Sequence, residues 1–482
     1  MHLPSPQATF LWTTLLLAPT TAQSSPPALH PQPNTFNSTF QHTPAQIAAA
    51  NLSAILVTDL AVALNFERSN WATGSVTTDP FYQPPRNTST SPAGSLLKHE
   101  TANTTLYTLP PLTALSRILY QTTTLNGTLV PASASILFPY SPRHFPSSNN
   151  SYPVVAWAHA TSGIFPACAP SHVRNIWYHF MAPFALVQAG YVVVAPDYQG
   201  LGVSHTSEGK EILHPYLAQP SQADDVFYAV QAAQEAYASL SREFVVVGHS
   251  QGGGAAWAAA ERQARTPVEG YLGAVAGSPV VDFVGDADAQ ERAGEPLGYL
   301  GALLVTGLQS VFPDFDIGSI LTEEGSRRWE LVKEVQGCNP VFVELLADPG
   351  VYRQGWQHLP RVEAYRNMTR IVGKPIAGPL LVVQGEADPV VPAVVIDGAV
   401  NALCQMSQGT GIEYQRYKGA GHVPAMYAAQ RNWLKWVEER FAGKGVARGC
   451  RRREFESALP LERYQGELNW FLEYALDVYE TQ

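Results

Sequence analysis

The sequence predicts an α/β protein: a mostly parallel, doubly wound sheet with helices on both faces, interrupted by one long helical insertion. Three observations carry this. Short runs of β-branched and aliphatic residues recur from Tyr152 onward, at 154–158, 191–195, 244–247, 272–276, 379–383 and 413–417. Segments with helical character lie between or after them (183–189, 221–237, 251–262, 424–441), and strands joined through helices build parallel sheets buried on both faces. Finally, about 100 residues separate the strand at Leu272 from the strand at Pro379, far more than a single crossover needs.

Taken in order, residues 1–22 read as a signal peptide. Phe10 to Ala18 is its apolar core, Thr20-Thr21-Ala22 supplies small residues before the cut, and the n-region has no Lys or Arg. The apolar run is too short to span a bilayer. Residues 23–45, rich in Ser, Pro, Gln and Thr, predict a flexible leader. Gln46 to Leu64 has the apolar spacing of a helix packed on the main body. Thr104–Thr108, Arg117–Leu125 and Thr128–Phe138 predict an antiparallel meander. Ser221 is placed as the N-cap of the helix to Tyr237, with Asp224 and Asp225 in its first turn. The core therefore spans 46–283 and 375–445. Residues 284–374 are a cap or lid insertion with helices at Leu297–Gln309 and Glu324–Glu334, and 446–482 form a C-terminal extension. An insertion leaving a sheet strand at its C-terminal end lies over whatever that edge carries.

Composition narrows the function. The net charge is -10, and the one basic run, Arg451-Arg452-Arg453, is short, which argues against a nucleic-acid partner. Seven Asn-x-Ser/Thr sequons, at Asn37, Asn51, Asn87, Asn103, Asn126, Asn149 and Asn367, fit an exported glycoprotein. Four cysteines, Cys168, Cys338, Cys404 and Cys450, are an even number suited to disulfides in an oxidising compartment. No Cys-x-x-Cys spacing or His-rich cluster points to zinc.

The chemistry centres on Glu243 to Ala260, E-F-V-V-V-G-H-S-Q-G-G-G-A-A-W-A-A-A. A buried strand, then Gly248-His249-Ser250-Gln251-Gly252, then an Ala-rich helix is the pattern of a nucleophile elbow. Gly248 and Gly252 allow the sharp turn and close packing that leave the Ser250 hydroxyl exposed. The helix N-terminus aims amides at the space above it, and the Gln251 amide is half of an oxyanion hole. A serine needs a histidine to take its proton and an acid to orient that histidine. Asp388, after the strand Leu381–Val383, is the candidate acid, with Glu386 second. His422, on the glycine-hinged loop 419–423 after the last strand, is the candidate base. His249 is read as structural. The other oxyanion amide is placed near Thr161, in the loop His159-Ala160-Thr161-Ser162-Gly163. Asp197-Tyr198-Gln199-Gly200 is read as a structural turn whose rim can meet substrate.

The chain resembles the α/β-hydrolases, and within them the fungal and bacterial secretory lipase/esterase family that includes the lipase A type from yeasts. The matching stretches are H-A-T-S-G at 159–163, C-A-P-S at 168–171, A-P-D-Y-Q-G-L-G at 195–202, G-H-S-Q-G-G at 248–253, G-E-A-D-P-V-V-P at 385–392 and G-A-G-H at 419–422. Ala160 stands where the family's loop usually has glycine. The resemblance implies an α/β-hydrolase fold with Ser250 as nucleophile, Asp388 as orienting acid and His422 as base. It also implies the pairings Cys168–Cys338 and Cys404–Cys450, which spacing alone leaves open.

These readings lead to an expected secreted, extracellular ester hydrolase that needs no cofactor or metal and acts on a small-molecule or lipid ester, with transient contact to a lipid interface. Two other readings share the same residues: an acyltransferase of secondary metabolism, and a non-catalytic binding protein on the same scaffold.

Overall fold

The computed structural model describes residues 40–464, apart from 87, 89, 147–150, 178–181, 296–297 and 407–408. The signal peptide, most of the leader and the sequons at Asn37, Asn87 and Asn149 lie outside the described residues.

Two helices open the described chain, α1 (Pro44–Ala49) and α2 (Ala54–Ser69). The single helix expected over 46–64 is broken because Asn51 takes a positive φ of 53° and Ser53 caps a new start by accepting from Leu56 N. Three strands follow: β1 (Leu96–Thr101), β2 (Ala114–Thr123) and β3 (Leu129–Phe138), paired antiparallel. The first strand of this meander is 96–101, not 104–108. Residues 104–106 form a 3-10 turn because the Asn103 carboxamide accepts the Thr105 amide at 3.2 Å, diverting it from a ladder.

The winding part begins at β4 (Tyr152–Ala158), then α3 (Pro183–Gln188), β5 (Val192–Pro196), α4 (Gln219–Ala236), β6 (Leu240–His249), α5 (Gln251–Arg265) and β7 (Tyr271–Gly277). The start of α4 differs from expectation. Its N-cap is Ala218, so Ser221 lies inside the helix, where its hydroxyl faces Thr123 O at 3.2 Å, and Asp224 and Asp225 fall beyond the first turn. Pro220 near the helix start, with no amide to satisfy, makes a side-chain cap dispensable.

Five helices fill the interval after β7: α6 (Phe283–Ala293), α7 (Tyr299–Val311), α8 (Glu323–Val335), α9 (Asn339–Leu346) and α10 (Pro360–Thr369). The sheet resumes with β8 (Leu380–Gly385), α11 (Ala393–Met406), β9 (Gly411–Tyr417) and α12 (Pro424–Phe441), and ends on β10 (Gly449–Phe455). That last strand lies in what the sequence presents as an extension. Its exposed Arg451, Arg452 and Arg453 hide it, and such charges are what an edge strand uses to discourage further pairing.

The ten strands form one sheet in the order β1-β2-β3-β5-β4-β6-β7-β8-β9-β10, parallel from β5 onward. Strand residues alternate between two apolar layers. Phe244 and Val246 pack with α4, α5 and α11, while Val245 and Val247 pack with α3 and with Trp433 and Trp436 of α12. This explains the unbroken apolar runs, since neither face meets water.

α2 does not pack on the sheet. Leu60, Ala63 and Leu64 join Val341, Phe342 and Leu345 of α9 in one apolar cluster. Buried Glu67 accepts the amides of Cys338 (2.9 Å) and Val341 (3.2 Å) at the N-terminus of α9, and burial pushes its pKa up to about 8 against those two hydrogen bonds. The chain's first helices thus support its insertion. The disulfides are Cys168–Cys338, joining the loop after β4 to the start of α9, and Cys404–Cys450, joining α11 to β10. The first closes a separation of 170 residues. Replacing both its cysteines by serine is expected to lower the unfolding free energy by about 5 kcal/mol, read as a fall in the denaturant midpoint.

Candidate active site

The register of the sheet lines up the places where the chain leaves it. Gly248 on β6 is level with Ala158 on β4 and Ala276 on β7, Gly277 is level with Val383 on β8, and Gly385 with Tyr417 on β9. The loops after β4, β6, β7, β8 and β9 therefore all leave one carboxyl edge, the place where open parallel sheets hold ligands.

Ser250 stands at the head of α5 with φ 59° and ψ −121°, a left-handed conformation that costs a non-glycine residue about 1–3 kcal/mol. Its neighbours hold it there. Ser250 N donates to Gly277 O at 2.9 Å, and Ser250 O accepts from Gly254 N at 3.0 Å and Val280 N at 3.1 Å. A Cβ at Gly252 would sit 1.9 Å from Ala158 O, and one at Gly248 would sit 2.0 Å from Gly252 O. Only glycine fits either position, so the expected tight crossing of strand and helix is present. The Gln251 amide opens α5, at the positive end of the helix dipole.

Asp388 and His422 meet across the same edge, with His422 Nδ1 2.8 Å from Asp388 Oδ2. The acid loop and the histidine loop are laced together by Glu386 N to Tyr417 O and Ala387 N to Ala420 O, both 3.0 Å. The Asp388 side chain is fully buried. Burial alone would raise its pKa. The His422 charge and hydrogen bond, the Val391 amide and the Ser278 hydroxyl outweigh that and hold it below the usual carboxylate value. An ionised Asp388 accepts, so His422 Nδ1 carries the hydrogen and Nε2 of the neutral ring is left with a lone pair. Ser250's neighbour His249 packs its ring 4.6 Å from that of His422, with Nε2 3.1 Å from His422 O. Burial depresses the His249 pKa to about 3, so it is a neutral prop beneath the histidine loop. Glu386, the second candidate acid, points elsewhere, to Arg416 at 3.3 Å.

Two supporting groups escaped the sequence reading. Gln384 ends a buried strand and gives Nε2 to Asp388 Oδ2 (3.2 Å) and Val391 O (2.9 Å), tying the carboxylate to its own loop. Ser278, just past β7, donates to His422 O at 3.3 Å. A carboxamide inside an otherwise aliphatic strand was a readable signal for the first. Nothing local distinguished the second.

Thr161 lies in the loop after β4, and its hydroxyl is 2.8 Å from Tyr216 OH. Ala160, in the position where glycine was expected, has no positive φ, so its Cβ brings no backbone strain. His159 stacks on Tyr198 at 4.2 Å and is held neutral by burial, its pKa near 4. His214 faces Gln199 O at 3.0 Å through Nδ1 and the Gln251 side chain at 3.3 Å through Nε2. The 214–216 segment thus touches both residues chosen for oxyanion amides. Asp197 is a structural acid: it accepts the Ser171 amide at 2.7 Å and the Ser133 hydroxyl at 2.6 Å, and burial pushes its pKa up to about 6.

The inserted helices grip both sides of this edge. Asn339 N at the head of α9 donates to Ser162 O at 2.9 Å, Tyr365 OH on α10 donates to Tyr216 O at 2.7 Å, and Gln290 on α6 donates to Val390 O. Among the described residues no group of three or more His, Cys, Asp or Glu is arranged to hold a metal.

A sequence model of the secretory lipase family matches residues 175–449, more than half of the chain. The chain belongs to that secretory lipase family. Curated relatives include Lipase 5 of Candida albicans, 22% identical over 83% of this chain and 88% of its own length. The Secreted triacylglycerol lipase LIP3 of Malassezia globosa is 23% identical over 80% and 88%. A third relative is named Probable inactive lipase MT1628, from Mycobacterium tuberculosis, 24% identical over 76% and 82%. Among solved structures, Candida antarctica lipase A superposes with a TM-score of 0.63 at 17% identity, covering 80% of this chain and 90% of that one. The rice cell wall degrading esterase LipA from Xanthomonas oryzae gives 0.56 at 18% identity, covering 72% and 96%. At these identities the superpositions show the α/β-hydrolase fold. Membership of the secretory lipases supports an ester hydrolase.

One acid in this secretory lipase lies outside the pair and beside it. Asp286 on α6 is 2% exposed, and neither carboxyl oxygen has a hydrogen-bond partner among the described residues. Burial, then the charges of Asp282 and Asp388, hold its pKa well above the carboxylate range. A raised folded-state pKa gives stability that is complete below the unfolded value of about 3.9 and is lost as pH rises toward the folded value. Thermal unfolding should therefore show wild type losing stability more steeply than Asp286→Asn as pH rises above the unfolded-state value, by up to about 1.4 kcal/mol per pH unit.

Proposed function

We propose that this secretory lipase is an exported serine esterase that cleaves carboxylic esters of lipid type through a Ser250–His422–Asp388 triad. The observation that carries the reading is the Asp388–His422 hydrogen bond at 2.8 Å on the sheet edge where the strained Ser250 elbow stands. Ser250 Oγ attacks the ester carbonyl while His422 Nε2 takes its proton, and Asp388 keeps the imidazole in the tautomer that can do so. The Gln251 amide, with one near Thr161, receives the developing oxyanion. His422 then protonates the leaving alcohol. A water activated by the same ring releases the acid and frees the serine.

Two features support the reading. The triacylglycerol lipase name of a Malassezia globosa relative points to lipid esters. The two disulfides suit an oxidising extracellular setting.

Ser250→Ala is expected to abolish labelling by a fluorophosphonate probe and to lower kcat on a short-chain nitrophenyl ester by on the order of 10⁴ or more. Undiminished turnover by that variant would exclude the assignment. Rates on esters from acetate to long-chain triglyceride would give the acyl preference.

Gln384 acts through Asp388, as a positioning residue. Gln384→Leu removes one donor from a charged oxygen, an interaction of about 1.5–3 kcal/mol, so kcat should fall at least about tenfold with KM unchanged. The freed carboxylate holds the imidazole proton more tightly, so the acid limb of the pH–rate profile should move to higher pH. A simple loss of folded protein would leave that limb in place.

A further inference from the structure

Within the insertion, a cavity of about 220 Å³ lies between α6 and the turn-rich segment 349–357, with Gly298 beside the head of α7 also lining it. None of Ser250, Asp388 and His422 lines it. It is smaller than the roughly 300–1,000 Å³ of drug-sized ligand sites, so it suits one compact group rather than a whole lipid. Two of its walls are aromatic. Tyr352 and Trp356 line it, their ring centroids 6.2 Å apart and their planes inclined by 44°. A Cβ at Gly298 would sit 2.6 Å from the Tyr352 ring, so only glycine lets that ring lie against the head of α7.

The polar part of the lining consists mostly of acceptors. Gln290 and Gln357 are only 3% and 4% exposed, and each commits its Nε2 to the protein, Gln290 to Val390 O and Gln357 to Glu291 Oε2 at 2.8 Å. No described residue donates to either Oε1, and neither oxygen is sealed from solvent. What these two carboxamides offer a guest is therefore a carbonyl oxygen. Glu291 is exposed, and among the described residues its carboxylate receives only the Gln357 carboxamide. The one cation in the lining, Arg353, gives Nε to Gly318 O at 2.7 Å and Leu321 O at 3.0 Å, which draws it toward the 318–321 turn. A neutral apolar guest would leave the carboxylate and both carbonyl oxygens unmet, and an anion would be repelled by them. A cation is attracted by the aromatic faces and by the carboxylate alike.

We propose that this cavity binds an alkylammonium group, its charge held between the Tyr352 and Trp356 rings and the Glu291 carboxylate. The group is carried either by a free solute or by the head of a membrane lipid. The proposal is independent of the esterase reading, because the cavity and the triad share no residue.

The test titrates the purified full chain with choline and with ethanolamine at constant ionic strength, followed by NMR of the ligand. The neutral carbon analogues dimethylbutanol and propanol are the controls. At least one ammonium compound should bind saturably and at least about fivefold more tightly than its neutral analogue. Glu291→Gln should weaken that binding at least about threefold, and Trp356→Leu by a similar factor. Trp356→Phe, which keeps a ring, should retain most of it, and Arg353→Gln should not weaken it. An unchanged denaturant midpoint in Glu291→Gln separates loss of the site from loss of the fold. Vesicles carrying the preferred headgroup, set against phosphatidylglycerol vesicles, identify the source. Preferential binding that the free ammonium compound displaces supports a lipid head, and saturable binding of the free compound with no vesicle preference supports a solute. Equal affinity for cation and neutral analogue overturns the proposal, as does the absence of saturation with both ammonium compounds. Undiminished binding by folded Glu291→Gln and Trp356→Leu overturns it as well.

Discussion

The close approach of backbone to backbone under Ser250 is the constraint on which the rest of the molecule depends. Where β6 turns into α5, Gly252 lies so near the Ala158 carbonyl that no Cβ could intervene, and Gly248 is equally close to Gly252. Packed this tightly, strand and helix leave Ser250 no relaxed conformation, and it is held at φ 59° by bonds to Gly277, Gly254 and Val280. The local strain is small beside the burial that enforces it, since nearly the whole of α5 and the strands beneath it are sealed from water. Strain and core packing are therefore one device: the core is dense enough to hold a serine where the chain alone would not.

The acid–base pair is arranged on a different principle. A fully buried carboxylate is stable only if its charge is met on all sides. Asp388 has the amides of Val390 and Val391 on one oxygen and Gln384 with His422 on the other. Each of those donors comes from a loop or strand end at the same sheet edge, so the edge itself is the counter-charge. Asp286 is the exception, a carboxyl buried nearby with no donor among the described residues. Burial and the charges of Asp282 and Asp388 keep Asp286 neutral, whereas His422 and the hydrogen bonds around Asp388 keep that carboxyl ionised.

The inserted helices are held to the body by a ring of unlike contacts. A disulfide and an amide fix α9 to the loop carrying Thr161, α10 reaches Tyr216, and α6 reaches the loop carrying Asp388. The chain's own beginning supports them from outside, through the apolar face of α2 and the Glu67 carboxyl group at the head of α9. Three of these helices therefore reach loops that leave the carboxyl edge of the sheet.

Much of this was legible in the residues. The apolar strands, the Ala-rich helix after the Gly-x-Ser-x-Gly pentapeptide and the order of serine, acid and histidine are local patterns, written by burial and backbone sterics within a few positions. What local pattern could not reach were elements whose identity is set by a distant partner. The strand at 449–455 is polar because it closes an edge, the turn at 104–106 is stolen from a strand by one carboxamide, and Ser221 is drawn inside α4 by contacts with the 123 and 199 segments. By itself, then, the amino-acid order determined the sheet's interior strands and which serine, aspartate and histidine to compare, because those follow from periodicity and spacing. Only the tertiary structure decided that Gln384, Ser278 and His249 brace the histidine and its acid, and that α2 belongs with the inserted helices. Those relations join residues far apart in the chain, and no spacing rule records a contact made through folding.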